Sequence, residues 1–291
     1  MNSPRIVVFA YSDLGHACVK FLLDRGENVA AIFTHEDNPS EKIWFPSVAK
    51  LGKAHSVLTR TGVDLKKPEE IEALKKLKPE LALSFYYRDM IPASALALPR
   101  LGAYNMHGSF LPKFRGRAPV NWAVLSGEKQ TGATLHVMVE KPDAGDIVDQ
   151  EAVPIGPDDT TAVVQSRVTE AAVKVLSRQI GNLTAGTAPR RPQDPAQASY
   201  YGRRTPADGR IDWSWPAEKV HNLVRAVSKP YPGAFGPIGE KEQTIWRTRL
   251  TGKKVSSGTA GGTRYESGKT FVICGDGFEI EILEMEKRTT S

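Results

Sequence analysis

The chain has 291 residues, 40% of them hydrophobic and 25% charged, with a net charge of +6. That length allows one or two domains with ample core, and the composition excludes extended disorder. The basic balance favours anionic partners such as phosphates, nucleotides, folates or RNA without choosing among them.

Residues 6–10 (Ile-Val-Val-Phe-Ala) form a continuous apolar run of strand length, and Ser12 or Asp13 can cap a helix that runs through Val19, Phe21, Leu22 and Leu23. A second such run follows at 29–34. Strand, helix, strand with strands apolar on both faces predicts an α/β domain with a mostly parallel sheet covered on both sides. The first turn, Tyr11-Ser-Asp-Leu-Gly15, lacks the glycine spacing that a dinucleotide pyrophosphate needs, which disfavours a nicotinamide or flavin dehydrogenase. The polar loop 35–41 lies at the carboxyl end of the second strand, the edge where open α/β sheets bind ligands; it reads equally as a solvated loop. Helices are expected over 44–54 and 68–77, the second with Pro68 near its start, and a buried strand over 81–85. Residues 86–92 then leave the sheet at the same edge, and 101–106 form the next strand.

Pro119 opens a helix that ends at Gly127. Residues 131–139 alternate as a half-buried strand, and His136 on it reads as a structural histidine beside Met138. A turn at 140–146 returns the chain as a hairpin partner over 147–153, and a long amphipathic helix follows from Asp159 or Thr160 to Ile180. Composition shifts at 186–199, where Pro189, Pro192 and Pro195 with Arg190 and Arg191 read as an exposed linker. The expected division is one domain over 1–188, a linker over 189–202, and a small β-rich, barrel-like domain over 203–291 with strands at 243–246, 270–274 and 278–283. Cys18 and Cys274 have no metal-ligand spacing, the amino terminus has no charged leader, and no run is long enough to span a bilayer; a cytoplasmic location is expected.

The densest chemistry lies at 103–119. Asn105 and His107 are two residues apart in a strand and face the same way. An amide donor beside a titratable imidazole can hold a developing oxyanion and move a proton in one event. Such a histidine is usually oriented by a carboxylate; Asp143 in the following turn suits the part, and Asp146 and Glu140 compete for it. No nucleophile elbow, zinc-protease helix or cysteine pair is present, so neither a covalent nucleophile nor a metal is expected. Direct transfer between two bound substrates remains.

The stretch His107-Gly-Ser-Phe-Leu-Pro-Lys-Phe-Arg-Gly-Arg-Ala-Pro119 carries a resemblance, together with Phe33-Thr-His-Glu-Asp-Asn-Pro39, Ser84-Phe-Tyr-Tyr-Arg88, Asp143-Ala-Gly145, Gly202-Arg-Arg-Thr-Pro206, Val224-Arg-Ala-Val227 and Tyr231-Pro-Gly-Ala-Phe235. Over nearly its whole length the chain resembles the N10-formyltetrahydrofolate-dependent formyltransferases, and among them those that formylate UDP-4-amino-4-deoxy-L-arabinose in lipid A modification and polymyxin resistance. The resemblance implies a Rossmann-like catalytic domain over 1–188 followed by an OB-like carboxyl-terminal domain over 203–291, and it implies that Asn105 stabilises the transition state, that His107 is the acid/base, and that Asp143 raises the pKa of His107. It also implies that the folate co-substrate lies against Asp89, Met90, Ile91, Arg117, Val139, Glu140, Lys141, Pro142 and Asp143, with no metal required. The family member best known for this sugar is fused to a decarboxylase, whereas this chain stops at Ser291; a separate partner is then expected to supply the amino sugar, or the substrate is another nucleotide-linked amino sugar.

Arg203 and Arg204 could hold the sugar nucleotide's pyrophosphate or be solvated linker charges. The nearest rival is a methionyl-tRNA formyltransferase, which needs a basic track for phosphates. Glu36, Asp37 and Glu41 oppose that, while Arg190, Arg191, Arg203, Arg204, Arg247, Arg249, Lys253 and Lys254 leave a basic carboxyl-terminal half. A non-catalytic RNA-binding protein would leave Asn105, His107 and Asp143 unexplained. The expected partners are small molecules rather than tRNA or membrane, and a homodimer is compatible with the sequence.

Overall fold

A computed structural model describes residues 3–37 and 43–288. Among these, the first sheet has seven strands in the order β3-β2-β1-β4-β5-β7-β8, and the chain passes through β1 (Ile6–Ala10), α1 (Ser12–Asp24), β2 (Val29–Thr34), α2 (Val48–Ala54), β3 (Thr59–Thr61), α3 (Pro68–Lys76), β4 (Leu81–Phe85), α4 (Ala93–Leu96), β5 (Ala103–His107), the short β6 (Arg115–Gly116), α5 (Pro119–Leu125), β7 (Gln130–Val137) and β8 (Ile147–Pro154). The β1–β2, β1–β4, β2–β3 and β4–β5 pairs are parallel, and β5–β7 is antiparallel. The expected mostly parallel sheet is therefore present. Its central strands β1 and β4 are buried at every position, as their unbroken apolar sequences require of a sheet covered on both faces. Leu14, Cys18, Val19 and Leu22 of α1 are buried at helical spacing.

Helix α2 starts four residues later than the apolar pattern suggests. Pro46 biases the residue before it away from helical backbone, and the Ser47 side chain caps the new start by accepting from the Lys50 N–H. Residues 38–41 of the expected polar loop lie outside the described residues, with Glu41 among them.

After the 25-residue α6 (Thr161–Ala185) and the two-residue β9 (Tyr200–Tyr201) comes α7 (Ala217–Val227). Next come β10 (Ala234–Ile238), β11 (Lys241–Lys254), β12 (Thr263–Glu266), β13 (Lys269–Ile273) and β14 (Phe278–Lys287), an antiparallel sheet in the order β10-β11-β14-β13-β12. The β-rich carboxyl-terminal half is as expected. The chain divides into two compact units: residues 1–116, 132–153 and 167–200 form one, and 117–131, 154–166 and 201–291 the other. In the second unit the buried Arg225 of α7 donates to Asn222 Oδ1 and to the Gly156 and Asp159 carbonyls.

Candidate active site

The site is built on β5, where the parallel part of the sheet meets its antiparallel edge. Asn105 of β5 is paired with His136 of β7, and His107 with Thr134. Cross-strand partners share a face, so Asn105, His107 and His136 come together by register alone. The rings of His107 and His136 are 6.5 Å apart at nearly a right angle.

Asp143 completes the group from the turn after β7. Its Oδ1 lies 3.6 Å from His107 Nδ1, 3.4 Å from His136 Nε2 and 3.4 Å from Asn105 Nδ2. The other oxygen, Oδ2, accepts the Gly116 N–H at 2.8 Å. Asp143 has φ +55°, a left-handed conformation that Asp and Asn tolerate better than most residues. Gly145 closes the turn so tightly that a Cβ there would stand 2.0 Å from the Val137 carbonyl oxygen, which no side chain permits. Asp146 accepts the Val137 N–H through its backbone carbonyl, and Glu140 is exposed. Asp143 is thus the carboxylate that faces the histidines.

Burial opposes ionisation of Asp143, but the charge of His107 and the hydrogen bond from the Gly116 N–H oppose that penalty and hold the carboxyl below the usual carboxylate range. His107 Nε2 lies 2.8 Å from the Phe114 carbonyl. A carbonyl can only accept, so Nε2 carries the hydrogen, and Nδ1 is the nitrogen free to take a proton beside Asp143. The loop after β5 contributes to this cluster through its backbone. Its buried Arg115 points elsewhere, to Gln193 Oε1 and Tyr200 Oη. Gln193, in the stretch read as a linker, donates to the Asp143 and Gly145 carbonyls at 2.9 and 2.7 Å. That stretch is mostly exposed, yet it fastens the turn that carries Asp143.

The other candidates are spread more widely. Asp89 and Met90 are exposed where the chain leaves β4, whereas Ile91 is packed into the core with Phe9, Phe33 and Ala95. Val139, Glu140, Lys141 and Pro142 are exposed beside Asp143, with the Lys141 ammonium 5.1 Å from the Tyr200 ring. Arg117, Arg203 and Arg204 belong to the second unit; Arg117 and Arg203 are exposed, and Arg204 lies over Trp122 and donates to the Asp208 carbonyl. His35 is held in an aromatic cluster, stacked on Tyr87 and accepting the Arg88 N–H. Sequence reading missed the Phe114 carbonyl, the Gly116 N–H and Gln193, and it set His136 apart from the site; no side-chain pattern marks a backbone contact or a cross-strand register. Among the described residues, no group of three or more His, Cys, Asp or Glu is arranged to hold a metal ion.

The profile of the family described as "Formyl transferase" matches residues 5–180, and that of "Formyl transferase, C-terminal domain" matches 203–291. The chain belongs to the formyl transferase family. It is an enzyme of the formyltransferase class, and its fold is shared with solved structures. An N-formyltransferase from Helicobacter canadensis, in complex with folinic acid and dTDP-3-aminofucose, matches with a TM-score of 0.75 at 18% identity over 97% of this chain and 99% of that one. WlaRD, a sugar 3N-formyl transferase solved in the presence of dTDP and 5-N-formyl-THF, matches with a TM-score of 0.73 at 17% identity over the whole of both chains. HypX from Aquifex aeolicus in complex with tetrahydrofolic acid matches with a TM-score of 0.67 at 20% identity, over 99% of this formyltransferase and 45% of that chain.

Proposed function

We propose that this formyltransferase moves the formyl group of N10-formyltetrahydrofolate to the amine of a nucleotide-linked amino sugar, through Asn105, His107 and Asp143. The observation that carries the reading is the His107 geometry: its Nε2–H is spent on the Phe114 carbonyl, leaving Nδ1 as a base 3.6 Å from a half-buried carboxylate.

The neutral sugar amine attacks the formyl carbon, whose oxygen becomes an oxyanion that takes an N–H from Asn105. The proton lost by the amine goes to His107 Nδ1, where Asp143 pairs with the imidazolium. The bond from the formyl carbon to N10 then breaks, and His107 returns the proton to the N10 leaving group. Atoms and charge balance with no covalent enzyme intermediate. The exposed Met90 and Val139 offer apolar surface to the folate near Asp143, alongside Asp89, Glu140, Lys141 and Pro142. Ile91 supports that surface from within the core. Arg117, Arg203 and Arg204 are proposed contacts for the anionic parts of the two substrates.

For the acceptor, UDP-4-amino-4-deoxy-L-arabinose is the proposal the sequence motifs favour, and the two sugar N-formyltransferase structures above make dTDP-linked 3-amino sugars the alternative. An acceptor competition tests both: N10-formyltetrahydrofolate is offered with the UDP sugar, dTDP-3-amino and dTDP-4-amino sugars, and charged initiator tRNA. Formylation of a sugar nucleotide is expected, and transfer to tRNA alone would overturn the reading.

A further inference from the structure

His136 is 2% exposed and sits opposite Asn105 in the β5–β7 register. Its Nδ1 is 2.9 Å from the Val137 carbonyl, which can only accept, so Nδ1 carries the ring hydrogen. In the neutral ring Nε2 is then a bare lone pair, and it lies 3.2 Å from Asn105 Nδ2. Asp143 Oδ1 is 3.4 Å from the same Nδ2. Both neighbours are acceptors, so the carboxamide is held with its nitrogen towards them; the reverse orientation would set its oxygen against a lone pair and a carboxylate.

We infer that His136 is a positioning residue for Asn105, acting as a neutral acceptor that holds one carboxamide N–H and so aims the other. The two hydrogens of Nδ2 are not equivalent. One is kept at His136, while the other makes only the long contact with Asp143. The latter is the one free to turn to the developing oxyanion, a contact of the kind that tightens only when the reacting group arrives. Terminal amide torsions are broad, so without an acceptor at position 136 nothing fixes the carboxamide except Asp143. Both N–H groups then compete for that carboxylate, and the donor intended for the oxyanion is lost. The tautomer of His136 is set by the Val137 carbonyl, and a glycine at 145 leaves that oxygen the room a side chain would take.

This role rests on the reading of Asn105 as the oxyanion donor, and the experiment separates the two. Turnover and donor KM are measured for the full-length parent, His136→Leu, His136→Gln, Asn105→Ala and the Asn105→Ala/His136→Leu double variant. His136→Leu is expected to lower kcat by roughly 10- to 100-fold, part of what one oxyanion donor is worth, with donor KM unchanged. His136→Gln, whose Oε1 accepts the same N–H, recovers most of the loss. Because His136 acts through Asn105, the double variant is no slower than Asn105→Ala alone, a non-additivity that independent packing damage would not produce. Full turnover in His136→Leu, or additive losses in the double variant, would overturn the inference. Should His136→Leu fail to fold, the unsubstituted protein still decides. The ring 15N shifts of His136 at neutral pH must report hydrogen on Nδ1 and a bare Nε2, and any Nε2–H form refutes the role. Unimpaired turnover of Asn105→Ala would instead remove the catalytic reading while leaving the tautomer measurement standing.

Discussion

Asp143 has two separate debts to its surroundings, one electrostatic and one conformational, and Asp143→Asn separates them. Asn tolerates the left-handed backbone at 143, so the turn keeps its shape while the charge beside His107 is removed. Turnover is expected to fall by roughly 10²-fold or more, since the imidazolium formed during transfer loses its counter-charge. The folded-state pKa of Asp143 lies below its ordinary value of 3.8. A depressed carboxyl pKa contributes stability above the unfolded value and loses it as pH falls through the folded one. The stability contributed by the Asp143 carboxylate should therefore be lost only on strong acidification, read as a melting-temperature margin of the parent over Asp143→Asn that shrinks as pH falls below about 4. A margin that grew below that pH would contradict the direction assigned here.

At the scale of elements, the site depends on a stretch whose regular structure is limited to one bridge at Arg191 and a 3-10 turn over Pro195–Gln197. Gln193 bonds the carbonyls of Asp143 and Gly145 through Nε2 and accepts two guanidinium N–H groups of Arg115 through Oε1. Gln193→Ala leaves the buried guanidinium and the turn carbonyls short of partners. A loss of about 1–3 kcal/mol is expected in denaturant unfolding, with turnover reduced because the Asp143 turn is loosened. Gly145→Ala acts on the same turn from the other side. The added Cβ has no room against the Val137 carbonyl, and a destabilisation of about 1–3 kcal/mol is expected from the melting curve.

How well each element can be read from the sequence follows from the same physics. Strands β1 and β4 are continuous apolar runs because both their faces are buried, and the structure has them at the residues the pattern marks. In the second sheet the unforeseen strands are β10 and β12, its two edges. Strand β10 carries Gly236 and Pro237, residues that read as a turn and that a sheet accepts at an edge, where one side of the ladder needs no donor. The exposed β12 has no apolar face to reveal it. Asn105 and His107 were legible as neighbours because alternation is local. The nearness of His136 depends on how β5 pairs with β7, which no local pattern encodes.

For the whole molecule the question is what the net charge of +6 is able to attract. Several basic residues of the second unit are paired with carboxylates. Arg249 and Lys269 pair with Glu281, Arg264 and Lys253 with Glu279, and Lys229 with Glu284, so β14 neutralises much of the charge displayed around it. Binding spread over six to ten phosphates of a nucleic acid falls by roughly 10³- to 10⁵-fold between 50 and 200 mM salt, because each neutralised phosphate releases counterions. A sugar nucleotide presents only two phosphates, so kcat/KM for such an acceptor is expected to drop by less than about tenfold over the same range. The measurement is kcat/KM against KCl concentration for the best sugar acceptor, repeated with polynucleotide as a competitor. A shallow slope with no inhibition by polynucleotide agrees with a small acceptor held by a few arginines. A steep slope would mean that the ion pairs on β14 open to receive a phosphate backbone, and the acceptor would then have to be sought among nucleic acids.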